Sequence, residues 1–185
     1  MNIEPITAGD IQSCAEIYNH YVLHTDVSLE EEALTAAQYG QRVRSVTEKY
    51  PFFVAREGAQ VVGFAYLSPF NERAGYRVTA DLSIYVREGD THRHVGGALW
   101  AALEPLARNM GLRSVVSIIT GNNKRSMAFH EKQGFVLEGT LHDVAEKFGR
   151  RLDVCFYRKA LYRRKKRRGG KHRAKAAKAG RRRHD

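Results

Sequence analysis

Residues 93–98, Arg-His-Val-Gly-Gly-Ala, have the composition of an anion-binding turn. They follow a strand-like run, 81–86, and precede a helix-like run, 99–109. The first N–H groups of a helix have no intrahelical partner, and the helix dipole places about half a positive charge there. Gly96 and Gly97 let the main chain approach a phosphate, and Arg93 adds a full charge. The segment therefore predicts a phosphate-containing ligand, with a ligand-free glycine turn as the alternative.

The common nucleotide-binding loops do not fit this segment. It has neither the Gly-x-Gly-x-x-Gly pattern nor a Lys-Ser/Thr pair after the last glycine. A different kind of phosphate site is therefore expected.

Apolar spacing and turn residues predict the elements that hold this turn. Helices are expected over about 11–22, 35–49 and 99–109, and from Asn123 or Ser126 to Gly134. Strands are expected over 2–6, 52–56, 61–68, 76–86, 114–119, 135–138 and 152–158. The order is one strand, two helices, three strands, a helix, a strand, a helix and two strands.

Composition limits the class of protein. The 185 residues suit about one domain, and 43% hydrophobic content suits a folded core. Apolar runs such as 115–119 are far shorter than the roughly 18 residues of a membrane span. The first ten residues contain no apolar signal region, and Cys14 and Cys155 are too few for a disulfide framework. A reducing cytoplasm is therefore the expected location.

The positive charge lies at one end of the chain. Thirteen of the 31 Lys and Arg residues and one of the 20 Asp and Glu residues lie in 163–185. That segment carries +12, and residues 1–162 carry −1, out of a total of +11. We therefore expect a folded domain over 1–162 and a basic, disordered tail over 163–185.

The turn resembles the pyrophosphate-binding turn of GNAT acetyltransferases, Arg/Gln-x-x-Gly-x-Gly/Ala. Further segments resemble the phosphinothricin and methionine-sulfone branch of that family: 17–22, 50–55, 75–80, 123–135 and 147–154. The resemblance covers about residues 2–160. It implies an α/β (α+β) fold with a mixed, mostly antiparallel sheet and helices on both faces. It also implies acetyl transfer from acetyl-CoA, without a metal, to the primary amine of phosphinothricin, methionine sulfone or methionine sulfoximine.

Residue by residue, the resemblance implies an acetyl-CoA site. Its members are Ile84, Tyr85, Val86, Arg93, His94, Val95, Gly96, Gly97, Ala98, Asn123 and Ser126. Asn123 matches the asparagine that holds the pantetheine arm, although a helix N-cap explains it equally well.

The resemblance also implies catalytic roles. Asp81 stands where the branch usually has a glutamate base, and its shorter side chain favours a water-mediated role or weaker activity. A backbone N–H within 84–86 would stabilise the oxyanion. His130 stands at the position of an acid tyrosine, with Tyr85 as a second candidate. The alternatives are an aspartate that only accepts a backbone N–H and a histidine that only packs in its helix.

Substrate contacts are implied at Tyr76, Arg77 and Asp81. Arg77 resembles the arginine near the substrate carboxylate, with a plain surface charge as the alternative. Three departures from the branch concern this region and the cofactor turn. Arg151 replaces a tryptophan, Leu152 replaces a frequent histidine, and 87–92 is about two residues longer than usual.

Two other functions compete with a small-molecule enzyme. The tail could dock an acetyltransferase on a ribosome or nucleic acid, or the chain could be a non-enzymatic nucleic-acid-binding protein. The intact turn at 93–98 argues against the second, and a merely solubilising tail is the alternative to both. The sequence leaves the oligomeric state open; because the branch is often dimeric, a homodimer is one candidate.

Overall fold

One mixed sheet of seven strands organises the computed structural model, which describes residues 1–91 and 94–162. The strands are β1 Asn2–Pro5, β2 Phe52–Glu57, β3 Gln60–Pro69, β4 Thr79–Val86, β5 Ser114–Thr120, β6 Val136–Lys147 and β7 Arg150–Ala160. The α-helices are α1 Ile11–His24, α2 Ala36–Thr47, α3 Val95–Asn109 and α4 Lys124–Lys132. Strand order is β1-β2-β3-β4-β5-β7-β6, and only the β4–β5 pair is parallel.

Helices cover both faces of this sheet, as predicted. The apolar stripes of α1 and α2 pack on one face, where Tyr18 and Val22 meet Phe64 of β3. The stripe of α3 packs on the other face, where Leu99 and Trp100 join a second core cluster. The predicted α/β class and mixed, mostly antiparallel sheet are thus confirmed.

Three element boundaries differ from the sequence prediction. Helix α3 begins at Val95, so Gly96 and Gly97 lie in its first turn instead of in a preceding loop. Strand β4 begins at Thr79, because Ala74–Tyr76 form a 3-10 turn. Strand β6 is twelve residues long where four were predicted. Most of its side chains are exposed, so no buried face marks it in the sequence, and pairing with β7 supplies its backbone hydrogen bonds.

The turn between β6 and β7 is a tight one. Phe148 and Gly149 have φ of 52° and 67°, the left-handed pair expected of a two-residue hairpin turn. The register pairs Lys147 with Arg150 across it. The hairpin thereby fixes the position of Lys147, which is buried.

Part of the prediction lies beyond what the structure describes. Arg93 and the basic tail, 163–185, are outside the described residues, so the domain division and the tail's predicted disorder stay predictions. Within the described residues, no helix is both long and apolar enough to cross a bilayer.

Candidate active site

A wedge between β4 and β5 dominates the middle of the sheet. These parallel strands pair only at Thr79–Ser114, Ala80–Val115 and Asp81–Val116. Beyond that point β4 continues to Val86 and β5 to Thr120 without further pairing. The two strands therefore diverge and open a gap at their carboxyl ends.

The backbone of β4 presents hydrogen-bonding groups to this wedge. The Arg87 N–H donates to the Val62 carbonyl at 2.8 Å, which sets the alternation of the β3–β4 ladder. In an antiparallel ladder every second residue points its N–H and C=O groups away from the partner strand. The backbone N–H and C=O groups of Ile84 and Val86 therefore face the wedge. The Tyr21 hydroxyl donates to the Val86 carbonyl at 2.5 Å.

A cavity of about 530 Å³ fills the space between the wedge and the starts of α3 and α4. It brings together eight residues that the sequence predicted for the site: Ile84, Val86, His94, Gly96, Gly97, Asn123, Ser126 and His130. Tyr21, Val27 and Arg125 also line it and were not predicted. Tyr21 was hidden because it belongs to the apolar stripe of α1, which reads as core, and Val27 lies in a loop with no pattern.

The amino end of α3 points into this cavity. His94, the N-cap residue, has a left-handed φ of 60°, and its carbonyl accepts the Ala98 N–H at 3.1 Å. The N–H groups of the first turn, which includes Gly96 and Gly97, have no intrahelical acceptor. Val95 points away from the cavity into the core and is 1% exposed. The geometry suits an anion bound by backbone N–H groups.

Close packing explains two of the glycines around this turn. A Cβ on Gly96 would lie 3.3 Å from the Phe129 ring, whereas one on Gly97 would have its nearest neighbour 3.9 Å away. A Cβ on Gly63 of β3 would lie 2.9 Å from Val95 Cγ1. Gly63 thus lets the start of α3 approach the sheet, a role that the sequence analysis missed.

The amino end of α4 forms the opposite wall. Asn123 is its N-cap, and its side chain accepts the Ser126 N–H at 3.0 Å, so the capping explanation of Asn123 holds. The Ser126 carbonyl lies 2.8 Å from His130 Nδ1. A carbonyl only accepts, so Nδ1 carries the proton and Nε2 carries a lone pair.

His130 is buried among aromatic rings. It is 5% exposed, and the rings of Phe129 and Phe135 both lie 5.1 Å away, edge to face. Burial lowers the pKa of His130, and the hydrogen bond with the Ser126 carbonyl opposes that shift. Nε2 is buried without a partner among the described residues. His130 is therefore a neutral imidazole whose free nitrogen accepts.

Asp81 lies on the other face of β4. Alternation places it with Ser83 and Tyr85 on the α1 side, while Leu82 faces the α3 core. Its Oδ1 atom is buried and has no hydrogen-bond partner in the described part of the chain. Burial raises the pKa of Asp81 from 3.8 to about 6, and a hydrogen bond from the Leu82 backbone partly offsets this.

Tyr85 belongs to an aromatic cluster on that same face. Its ring lies 5.1 Å from Tyr18, 5.4 Å from Tyr21 and 5.3 Å from Phe64. Burial, followed by the neighbouring Tyr66, raises the pKa of Tyr85 well above its usual range. Tyr85 does not line the cavity described above.

The predicted substrate residues Tyr76 and Arg77 stand at the entrance to β4. Both are exposed, and the Arg77 guanidinium donates to the Ala74 carbonyl at 3.1 Å. The Tyr76 ring packs against Phe70 at 5.6 Å. Tyr76 and Arg77 precede Asp81 by five and four residues and lie in the turn that leads into β4.

No group of three or more metal-ligating side chains occurs among the residues with described positions.

Comparison with known proteins adds independent findings. The family model described as "Acetyltransferase (GNAT) domain" matches residues 3–156. A phosphinothricin N-acetyltransferase of Streptomyces viridochromogenes is 31% identical over 163 residues, 86% of this chain and 87% of its own. An L-methionine sulfoximine/L-methionine sulfone acetyltransferase of Pseudomonas paraeruginosa is 31% identical over 160 residues, 84% of this chain and 91% of its own.

Two solved structures are also similar. A phosphinothricin acetyltransferase of Sinorhizobium meliloti in complex with AcCoA has a TM-score of 0.84 and 31% identity, covering 86% of this chain and 88% of its own. A ribosomal-protein-alanine N-acetyltransferase from Brucella melitensis has a TM-score of 0.84 and 32% identity, and the match covers 86% of this chain and 99% of its own.

Proposed function

We propose, since this chain belongs to the GNAT acetyltransferase family, that it acetylates the primary amine of a small amino-acid-like acceptor. Family membership makes it an acetyl-CoA-dependent N-acetyltransferase. Relatives named for phosphinothricin and for methionine sulfoximine and sulfone support that class of acceptor. The observation that carries the proposal is the unpaired, buried Oδ1 of Asp81, next to the point where β4 and β5 part.

The residues around the cavity fit acetyl-CoA. The first turn of α3 offers unpaired N–H groups, and Gly96, whose Cβ position would lie 3.3 Å from the Phe129 ring, leaves the approach to them open. We assign the pyrophosphate to this turn and the pantetheine arm to the wedge-facing backbone of Ile84 and Val86. Asn123 and Ser126 border the same arm. Arg93, which lies outside the described residues, stays a proposed phosphate contact. When bound, acetyl-CoA supplies an activated acyl group.

We assign the general base to Asp81. An ammonium is not a nucleophile, so a base must remove a proton from the amine. A carboxyl with a pKa raised to about 6 is mostly ionised at pH 7 and is a stronger base than an ordinary aspartate. Its buried Oδ1 has an acceptor site free for the amine or for a bridging water.

The wedge-facing N–H groups of Ile84 and Val86 are suited to the oxyanion. They are fixed by the β3–β4 ladder, so they need no rearrangement as negative charge develops on the acetyl oxygen. This assignment keeps the oxyanion donor within the predicted segment 84–86.

Tyr21 is our candidate for the group that protonates the leaving thiolate. Its hydroxyl lies against the Val86 backbone at the cavity wall, and burial raises the pKa of Tyr21 so that the phenol keeps its proton at neutral pH. His130 offers a lone pair instead of a proton, and Tyr85 lies outside the cavity. For these two residues we therefore propose supporting roles: His130 as a hydrogen-bond acceptor and Tyr85 as a packing partner of Tyr21.

The acceptor's carboxylate has one candidate partner near the start of β4. Among the described residues, the exposed Arg77 guanidinium makes a single hydrogen bond, to a backbone carbonyl, which leaves donors for a carboxylate or phosphinate. Tyr76 beside it offers an exposed ring to the side chain of the acceptor.

An apolar surface on the last strands supports a homodimer. β6 is an edge strand, and Val136, Leu141 and Val144 on it are 63%, 50% and 53% exposed, with Ile118 of β5 at 50%. The tail contains no Val, Ile, Leu or aromatic residue, so it is unsuited to covering this surface. We therefore propose a second copy as the occupant, because an unpaired edge strand can pair with its own symmetry mate.

The macromolecular alternative rests on the tail and on the likeness to a ribosomal-protein-alanine N-acetyltransferase. If about eight tail cations engaged phosphates, affinity for nucleic acid would fall about 10⁴-fold between 50 and 200 mM salt. The non-enzymatic alternative is not favoured, since the cofactor turn is intact. We propose a cytoplasmic location, in keeping with the paucity of cysteines.

The experiment is to measure CoA release from acetyl-CoA with the full chain and with a variant truncated after Tyr162. The acceptors are phosphinothricin, methionine sulfone, methionine sulfoximine and the ordinary amino acids. We expect turnover on one or more of the three analogues, and equal turnover by the truncated variant. Acetyl-CoA binding without turnover on any free amino acid would refute the acceptor class. It would favour a macromolecular acceptor, which ribosomes offered as substrate would then identify.

A further inference from the structure

Lys147, at the end of β6, is a buried cation. It is 1% exposed, although Glu146 and Phe148 on either side of it are exposed. Lysine is almost never fully buried unless its ammonium is paired. The partners of Lys147 therefore show what this side chain holds in place.

The Lys147 ammonium bonds to a distant part of the chain. Its Nζ donates to the Val22 carbonyl at 2.7 Å and to the Ser28 carbonyl at 2.6 Å. Val22 lies in the last turn of α1, where carbonyls lack an intrahelical partner and the helix dipole favours a cation. The Phe148 ring, 5.0 Å from Nζ, covers the ammonium from the hairpin side.

These two carbonyls bracket residues 23–27, the last two residues of α1 and the three that follow it, which together we call the 23–27 loop. Val27 of this loop lines the cavity assigned to acetyl-CoA. The Ser28 hydroxyl, directly after it, lies 3.2 Å from the Tyr18 hydroxyl on the Asp81 face of the sheet. One ammonium thus fixes both ends of a loop that touches the two sides of the reaction site.

We propose that Lys147 is a positioning residue that holds the 23–27 loop closed against the reaction site. The inference rests on the proposed function, because it assigns the loop's position to the acceptor side of that same site. Val27 of the loop lines the cavity and Ser28, directly after the loop, contacts Tyr18 on the Asp81 face, so release of the loop would misplace the amine while leaving the α3 turn intact.

A neighbouring contact between the same hairpin and the same loop is weaker. Arg150 pairs with Asp26 at 3.1 Å, but the Arg150 side chain is 62% exposed. Solvent-exposed ion pairs contribute little, whereas removing one partner of a buried charged hydrogen bond leaves groups unsatisfied. Asp26 also accepts a hydrogen bond from the Asn122 side chain at 2.5 Å, so Lys147 is one of several contacts of the loop, but among these contacts it is the buried cation that binds both ends.

The test replaces the ammonium with an apolar group of similar length, Lys147→Met. Lys159→Met is the matched control, because Lys159 is also largely buried but pairs with Glu104, in α3. We expect backbone amides of the 23–27 loop to exchange hydrogen at least about tenfold faster in the Met variant at 147. The control should leave that exchange unchanged.

Kinetics give a second readout. We expect kcat/KM for the acceptor to fall about 10- to 100-fold in Lys147→Met through misplacement of the amine. The Kd of acetyl-CoA should rise by less than kcat/KM for the acceptor falls, because Val27 alone of this loop lines the cofactor cavity and the α3 turn shares no partner with Lys147. Lys147→Arg, which keeps a cation and several donors, should retain slow exchange in the loop.

Slow exchange of the 23–27 loop in Lys147→Met would overturn the proposal. So would equal acceleration in Lys147→Arg, since a donor-bearing cation would then not be what holds the loop. If Lys147→Met does not fold, the Arg variant alone decides by the same exchange measurement. If the wild type acetylates none of the offered amines, the proposed acceptor class fails, but the exchange comparison still tests the role of Lys147.

Discussion

Asp81→Asn tests two consequences of the buried Asp81 carboxylate, its role as the base in catalysis and its effect on the pH dependence of stability. As the proposed base, Asp81 must be ionised to act, and the amide cannot accept the proton. We expect kcat to fall about 10²- to 10⁴-fold, the usual contribution of a general base. In the wild type, kcat/KM should rise with pH through about 6, where the Asp81 carboxyl ionises.

The same substitution changes the pH dependence of stability. The pKa of Asp81 rises from 3.8 to about 6 on folding, so between these values the folded chain binds more protons than the unfolded chain. The free energy of unfolding therefore falls as pH rises through this range. Between pH 5 and pH 8 the loss from this single group is about 1.4 kcal/mol. The Asp81→Asn variant lacks this pH-dependent loss of unfolding free energy.

Urea unfolding at pH 5, 6, 7 and 8 measures this quantity. The quantity to compare between wild type and variant is the slope of the free energy of unfolding against pH, because any pH-independent cost of the buried amide cancels in that slope. Glu104→Gln is the control. Burial opposes ionisation of Glu104, but hydrogen bonds from Lys159 and Arg108 lower its pKa, and both of these partners stay charged throughout this pH range.

Two results would refute the reasoning. Parallel stability profiles for wild type and Asp81→Asn between pH 5 and 8 would mean that the pKa of Asp81 is not raised. A variant that keeps more than about a tenth of wild-type kcat would remove Asp81 from the role of base.

Three further outcomes are expected. Gly96→Val should weaken acetyl-CoA binding by at least about 100-fold, because even a Cβ at this position meets the Phe129 ring. Gly97→Ala, the control, should change the Kd of acetyl-CoA little, and equal Kd values for the two variants by calorimetry would contradict the cofactor assignment. Tyr21→Phe should lower kcat about tenfold or more while the Kd of acetyl-CoA stays unchanged. In His130→Phe, the rise of kcat/KM with pH that we assign to Asp81 should stay in place, and a shift of this rise would show that it reports the titration of His130 instead. Leu141→Glu should convert a dimer to a monomer in light scattering, and an unchanged mass would exclude the β6 surface as the interface.

Most of the fold was predictable from local patterns. Apolar residues at helical spacing located α1, and alternation located β2, β3 and most of β4. The longest miss was β6, because an exposed edge strand carries no buried face to read. The early start of α3 was missed because glycines predict a turn, yet Val95, which is 1% exposed, packs into the core and Gly96 and Gly97 follow it within the helix.

The sequence by itself determined the chemistry on offer: a glycine turn before a helix, an aspartate on an alternating strand, a histidine four residues after a serine. Only the tertiary structure decided how these groups act. Burial made Asp81 a stronger base and left Nε2 of His130 as an acceptor, and both depend on neighbours far away in the chain. Lys147 is the clearest case. A lysine in a polar hairpin reads as a surface charge, and its role arises from carbonyls 119 and 125 residues away, which sequence spacing cannot bring together.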